Sequence, residues 1–328
     1  MIDAAIVGLG WWGKNLVTAV QGKSDRLRFV RGVSVEPDPV RAFAAHHGLA
    51  LSTSLAEVLR DPNVRVVVLA TPHSLHAGQI VAAAEAGKAV FSEKPLALNR
   101  ADAIAAVEAC RRAGVPLGLG ANKRFWPSMR ELKRVIASGE LGEILHVEGH
   151  YSNENSGKFF AAWRDSPNEA PGGAMTGTAL HVLDAFVNLI GPVRRVNGQL
   201  VSRRPPPDPL DAISVLVEFA NGASGVLASM RATPFYWRVH AFGTAGSAEA
   251  IGENDIVVRR TGGRARRETF PPVDSLRDEL EAFAGAVDGR SAPPIPTVQM
   301  IDTVAAFEAV IRSVNGGTPS TVEAYRPN

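Results

Sequence analysis

The sequence predicts two domains. The first is α/β, built on a doubly wound parallel sheet; the second is α+β, with an open-faced, largely antiparallel sheet and helices on one face. Three observations carry this. Up to about residue 122, short apolar runs alternate with helical patterns, as right-handed crossovers between parallel strands require. The run 64–70 is nearly all apolar, as in a strand covered on both faces. Beyond it the strands carry polar interruptions and few helices separate them, which suits an open antiparallel sheet. A chain of 328 residues is long for one domain, and the boundary is placed near Lys123, giving 1–122 and 123–328.

Composition narrows the class. Hydrophobic residues make up 45% and charged residues 21%, enough for a large core, and a net charge of +2 gives no field that would draw nucleic acid or a membrane. The single cysteine, Cys110, cannot form an internal disulfide, which fits a reducing compartment. The first strand begins within a few residues of Met1, leaving no room for a signal peptide, and no apolar run is long enough to span a bilayer. A soluble cytoplasmic protein is expected. No cluster of ligand residues has metal-site spacing, so no metal is expected.

The first strand, ending in Ile6-Val7, runs into Gly8-Leu9-Gly10-Trp11-Trp12-Gly13 and then a helix over 14–21. Gly8 permits the tight turn, Gly10 allows the backbone to approach a pyrophosphate, and Gly13 lets helix and strand pack closely. The amides of 9–13 then face outward at the positive end of a helix. Trp11 and Trp12 either cover the dinucleotide or pack on neighbouring loops. A second strand, 28–35, is followed by Glu36, placed to accept hydrogen bonds from an adenosine ribose and to repel a 2′-phosphate. That favours NAD over NADP; the alternative is a solvated acid opening a turn.

Asp38 and Pro39 open a helix over 40–47, closed by Gly48, and 55–59 makes a further helical turn. Thr71-Pro72 follows the strand 64–70 at its carboxyl end, where ligands bind in such sheets, and Ser74 is the expected N-cap of a helix over 75–86. His76 lies in that helix's first turn, either lining the cofactor site or packing. The strand 89–91 leads into Ser92-Glu93-Lys94-Pro95, which puts Lys94 on the same rim as the glycine turn. An amine beside an apolar strand end suits hydrogen bonding to a substrate hydroxyl; an ion pair with Glu93 or a plain surface lysine are the alternatives. Asn99 caps a helix over Arg100–Ala113, Gly114 stops it, and 115–119 is another strand.

Gly8-x-Gly10-x-x-Gly13, Thr71-Pro72 with His76, Glu93-Lys94-Pro95 and Asn122-x-Arg124-Phe125 stand in the order and spacing of the Gfo/Idh/MocA oxidoreductases, which the chain resembles over nearly its whole length. The resemblance implies a Rossmann domain, an open-faced sheet domain, a nicotinamide cofactor between them, and contact between Lys94 and the reacting hydroxyl. It also implies a homodimer or homotetramer formed through the second sheet.

In the second half, 127–138 reads as a helix. Strands are expected at 144–151, 193–202, 212–219, 224–230, 235–242, 248–251 and 256–260, with Asn221-Gly222 a hairpin signal. Pro205 to Pro209 is a stiff loop, 259–267 is a basic hairpin tip, and the last helix, 298–313, is core packing. The run 171–184 reads as the start of a helix on which Gly177, His181, Asp184 and Asn188 share a face. His181 can exchange a proton near neutral pH, as oxidation of a hydroxyl requires; a core histidine satisfied by a carbonyl is the alternative. Trp163-Arg164 resembles the family's loop over the substrate, Arg164 binding a carboxylate or polyol oxygens, or else a surface carboxylate.

One departure stands out. The family pattern carries an aspartate four residues before the histidine, where this chain has Gly177, and a glycine where it has Ala179. Water, Asp184 or the substrate then supplies the carboxylate's role, or the chemistry differs, and the space at Gly177 admits a bulkier substrate. The sequence therefore predicts an NAD(P)-dependent oxidoreductase acting on a secondary hydroxyl of a sugar, cyclitol or related polyol, with Lys94 and His181 catalytic and Asn122, Arg124, Trp163, Arg164 and Asp184 beside the substrate. Two alternatives stay open: an NAD-binding sensor on the same fold, and a glycosidase that uses NAD for transient oxidation.

Overall fold

The computed structural model describes residues 1–154, 163, 166–205 and 208–325. Arg164 and Pro206-Pro207 of the proline loop lie outside the described residues. The chain forms two compact units: Met1–Asn122 with Asp274–Met300, and Lys123–Val273 with Ile301–Asn328. A single cut after Asn122 therefore omits a return of the chain, residues 274–300, to the first unit.

In the first unit, the elements alternate as β1 (Ile2–Val7), α1 (Trp11–Val20), β2 (Leu27–Val33), α2 (Arg41–His46), β3 (Ala50–Ser52), α3 (Leu55–Arg60), β4 (Val66–Leu69), α4 (His76–Glu85), β5 (Ala89–Glu93), α5 (Arg100–Ala113) and β6 (Leu117–Gly120). Among the described residues they give a six-stranded sheet in the order β3-β2-β1-β4-β5-β6, parallel throughout. The order reverses between β1 and β4, and the crevice outside the carboxyl ends of these two strands is where such sheets take ligands. The apolar strands explain the burial: every residue of β4 and β5 is buried. At α5, the Asn99 side chain accepts from the Asp102 amide at 2.9 Å, a cap worth about 1 kcal/mol. Gly114 ends the helix in the left-handed conformation. Ser74 is not the cap expected of it: residues His73–Leu75 form a 3₁₀ turn and α4 begins only at His76.

The second unit opens with α6 (Pro127–Ala137) and β7 (Ile144–Ser152). A π-helical turn, Met175–Ala179, leads into α7 (Leu180–Leu189). There follow β8 (Val193–Val201), β9 (Ala212–Phe219), β10 (Ser224–Met230), β11 (Tyr236–Gly243), β12 (Gly246–Ile251), β13 (Asp255–Arg260) and β14 (Arg266–Thr269). Next, α8 (Ser275–Val287) rejoins the first unit, α9 (Thr297–Gly316) runs on from it, and β15 (Ser320–Thr321) closes the edge. The nine-stranded order among the described residues is β14-β13-β12-β11-β7-β10-β9-β8-β15. All neighbours are antiparallel except β7 and β10, which run parallel. The β9–β10 hairpin turns at Asn221-Gly222, Gly222 having φ +91°.

Helix α8 was not readable as an element, and it explains the return. Its Leu280, Phe283 and Ala284 are fully buried in the first unit's core with β1, β2 and β5, and the Phe283 ring lies 5.5 Å from that of Phe91. In the second unit, α7 lies on β7 because Gly149 has no side chain: a Cβ there would meet Val182 at 2.2 Å and Phe186 at 2.8 Å. Helix α9 approaches β8 at Gly198 in the same way, through Val310 and Val314. The opposite faces of these strands stay open, as period-two alternation requires.

Candidate active site

The first unit gathers its predicted residues by strand direction. Because its sheet is parallel, Gly8, Glu36, Thr71, Lys94 and Asn122 all follow strand ends on one rim. The Gly8 amide donates to the Val33 carbonyl at 2.9 Å, and the Ala70 amide to the Val7 carbonyl at 2.8 Å, tying the glycine turn to both neighbours. Each glycine has its own reason. Gly8 has φ +93°, and a Cβ would sit 2.5 Å from the Ala70 carbonyl oxygen. At Gly13 a Cβ would fall 1.9 Å from the Gly8 carbonyl oxygen. At Gly10 it would meet nothing within 4 Å. The first and third glycines are thus required by the fold itself, whereas the second keeps open the space an approaching pyrophosphate needs. Leu9 is buried and packs against Gly32. Trp12 packs on the core, while Trp11 is 50% exposed with its ring 5.3 Å from that of Trp12. Glu36 is exposed in the loop after β2, its carbonyl accepting from the Ser34 hydroxyl at 2.8 Å.

His76 has a structural task. It is fully buried, with Nε2 3.0 Å from the Thr71 carbonyl and Nδ1 2.7 Å from the Pro95 carbonyl. It ties the Thr71-Pro72 loop to the Lys94-Pro95 turn, so its bearing on a ligand runs through those loops rather than through a nitrogen of its own. The Thr71 hydroxyl donates to the Gln79 side chain at 2.6 Å. Glu93 is buried, and its carboxylate needs Gly120 opposite: a Cβ there would lie 2.5 Å from Oε1. One Glu93 oxygen accepts the Lys94 amide at 3.3 Å. Lys94 itself is half-buried, and the Lys94-Pro95 peptide is cis. The Asn122 amide nitrogen donates to the Ser275 hydroxyl at 3.2 Å.

In the second unit, the half-buried His181 lies in the first turn of α7, and its ring meets Tyr151 of β7 edge-on, with centroids 5.7 Å apart. Tyr151 is buried, and burial raises its phenol above the ordinary range; its oxygen accepts from the Asn153 amide at 2.9 Å. Further neighbours surround Tyr151. The ammonium of buried Lys123 lies 4.3 Å from the Trp126 ring, 4.6 Å from Tyr151 and 5.7 Å from Trp237. Such a cage holds a cation by the negative ring faces. Its only sequence signal was a lysine inside Asn122-x-Arg124.

Two of the expected residues have partners within the chain. Arg124 and Asp184, read as substrate contacts, hold each other: Nε donates to Oδ2 at 2.8 Å and Nη2 to Oδ1 at 2.7 Å, while Nη1 reaches Asn188 at 3.2 Å. Asp184 therefore does not stand in for the missing aspartate. Nor is the space at Gly177 open. Gly177 lies in the π turn and admits Arg231, whose Cδ would lie 3.1 Å from a Cβ at 177. Arg231 is buried and pairs with Asp211 at 3.0 Å. Burial raises the Asp211 carboxyl, against the pull of Arg231. The Ala174 amide donates to Asp211 at 3.1 Å, and a Cβ at Gly173 would overlap that carboxylate at 1.7 Å. Gly173 thus makes room for a buried ion pair contributed by the residues just after β10 and just before β9. Trp163 is half-buried; its partner in the motif, Arg164, is outside the described residues. Among the described residues no group of side chains forms a metal site, and no helix is long and apolar enough to cross a membrane.

A parallel sheet with a glycine turn on its crevice, joined to an open nine-stranded sheet, defines a class of nucleotide-binding oxidoreductase. Residues 2–121 match the oxidoreductase family with an NAD-binding Rossmann fold, and residues 129–249 match the GFO/IDH/MocA C-terminal domain. The chain is 30% identical to the scyllo-inositol 2-dehydrogenase (NAD(+)) of Bacillus subtilis, covering 99% of this chain and 97% of that one. It is 28% identical to D-xylose 1-dehydrogenase (NADP(+)) 2 of Haloferax volcanii over 93% and 94% of the two. In fold it is similar to levoglucosan dehydrogenase in complex with NADH and L-sorbose, with a TM-score of 0.88, 23% identity and 99% of each chain covered. This chain belongs to the Gfo/Idh/MocA oxidoreductase family, as its sequence motifs imply.

Proposed function

We propose that the protein is an NAD-dependent dehydrogenase acting on a secondary hydroxyl of a sugar, cyclitol or related polyol. The observation that carries this is the glycine turn: Gly8 and Gly13 are demanded by backbone contacts, and Gly10 leaves room outside the crevice. The end-to-end likeness to a dehydrogenase named for scyllo-inositol and NAD supports the substrate class. The turn's amides would hold a pyrophosphate, and Glu36 an adenosine ribose, which favours NAD over NADP. Nicotinamide held there supplies the hydride acceptor. The chain's own part is positional and electrostatic. His181 takes the proton from the substrate hydroxyl, and the Lys94 ammonium donates to the same oxygen and stabilises the charge it gains.

The open face of the second sheet is proposed to join copies of the chain into a dimer or tetramer. Leu216 and Val226 stand opposite each other on that face, 58% and 37% exposed. A cytoplasmic location accords with the lone, buried cysteine.

The deciding experiment supplies NAD and a panel of polyols to the purified protein and follows reduced nicotinamide by absorbance. Appearance of that signal supports the reading. Cleavage of an aryl glycoside without net reduction would assign it to a glycosidase, and NAD binding with neither activity to a sensor.

A further inference from the structure

The most basic run of the sequence folds into one wall of a cleft that the reaction does not use. Val258 and Arg260 of β13, Arg264 of the connecting loop and Arg266 of β14 face Arg134 and Glu140, at and just beyond the end of α6, around a volume of about 330 Å³. The second unit builds it alone. Four guanidinium groups line it against a single carboxylate.

Three of these arginines are held in place from the side. Glu131 accepts from Arg134 at 2.7 and 2.6 Å and lies 3.6 Å from Arg266. Glu140 accepts from Arg260 at 3.1 and 2.8 Å, and Glu268 from Arg266 at 2.9 Å. A guanidinium carries five donors, so each keeps N–H groups for another acceptor. Arg264 is different. It is exposed at the loop and has no carboxylate partner among the described residues. A network of surface pairs alone would balance its charges; here a fourth cation crowds the mouth of a concavity, where like charges repel unless an anion joins them.

We propose that this cleft binds a compact oxyanion with at least two negative charges, of the phosphate-ester or pyrophosphate class. Guanidinium forks match the tetrahedral oxygens of phosphate in two-bond geometry. The volume suits a small ligand. Glu131, Glu140 and Glu268 interleave with the arginines, which breaks up the continuous basic stripe a nucleic acid backbone requires.

The test is calorimetric titration of the full chain with inorganic pyrophosphate at low salt. Binding should weaken as salt is added. Arg264→Ser should weaken it about tenfold, the scale of one charge-assisted contact, without altering the fold, since no ion pair is broken. Arg267→Ser removes the same charge from the neighbouring strand position, whose side chain points to the opposite face, and should leave affinity unchanged. Equal weakening in the two variants would mean attraction to general charge and would overturn the proposal. So would an absence of binding, or binding that neither variant alters, which is the behaviour of pyrophosphate on the glycine turn. Binding of an oligonucleotide that pyrophosphate cannot displace would also overturn it.

Discussion

Arg124 grips both carboxylate oxygens of Asp184, at 2.8 and 2.7 Å, in a pair whose side chains are only 7% and 11% exposed. Breaking such a pair leaves one charge buried alone, at a cost of about 3–5 kcal/mol. Asp184→Ala should therefore lower the urea midpoint of the protein markedly. Replacing both partners with apolar residues of similar size should recover much of the loss. A substrate contact would behave otherwise: KM for the polyol would rise with the urea midpoint unmoved.

The glycine turn separates fold from ligand. Gly13→Ala drives a methyl into the Gly8 carbonyl oxygen and should reduce both stability and NAD affinity. Gly10→Ala meets no atom of the chain within 4 Å. Its melting temperature should stay within a degree or two, while NAD affinity falls by about tenfold or more. Nucleotide titration followed by fluorescence, alongside thermal unfolding, distinguishes the two. Full NAD affinity in Gly10→Ala would move the pyrophosphate elsewhere.

Under the proposed mechanism, Lys94→Ala and His181→Gln should each lower kcat by a factor on the order of 100 or more, with NAD affinity little changed, because the roles proposed for them act on the substrate oxygen. Steady-state rates across the polyol panel, with nucleotide binding measured separately, check both. Undiminished turnover in either variant would remove that residue from the mechanism.

Much of the first unit was legible because each of its signals is local. A nearly continuous apolar run, a glycine triplet, Asn99 ahead of Asp102 and Gly114 at a helix end each constrain only the residues beside them. What stayed hidden depended on distant partners. Helix α8 belongs to the first unit because Phe283 finds Phe91, almost two hundred positions earlier. The spacing of Gly177, His181, Asp184 and Asn188 predicts a shared face but not what packs against it. Long-range partners decide what that face does: Arg231 packs beside Gly177 and Arg124 claims Asp184. The cage around Lys123 likewise takes two of its rings, Tyr151 and Trp237, from β7 and β11, far along the chain, with Trp126 nearby in sequence.

His240 gives the open sheet a pH dependence of known sign. Burial, foremost, pushes its pKa down from the ordinary 6.5 to about 4, with Arg238 and Arg259 adding to the effect and Glu249 and Glu148 opposing it. The geometry agrees. Arg238 can only donate, so at 2.6 Å His240 Nδ1 must accept, which requires a neutral ring with its proton on the buried Nε2. Above pH 6.5 the residue is neutral in both folded and unfolded chains and contributes no slope. Between pH 6.5 and about 4 the unfolded chain binds a proton that the folded one refuses, so stability is lost as the pH is lowered, by about 3 kcal/mol at most. His240→Gln keeps an acceptor for Arg238 but cannot titrate. Its stability should thus fall less than that of the parent between pH 7 and 5, as measured by urea unfolding at each pH. Parallel curves for the two proteins would show that His240 takes up its proton without resistance in the fold.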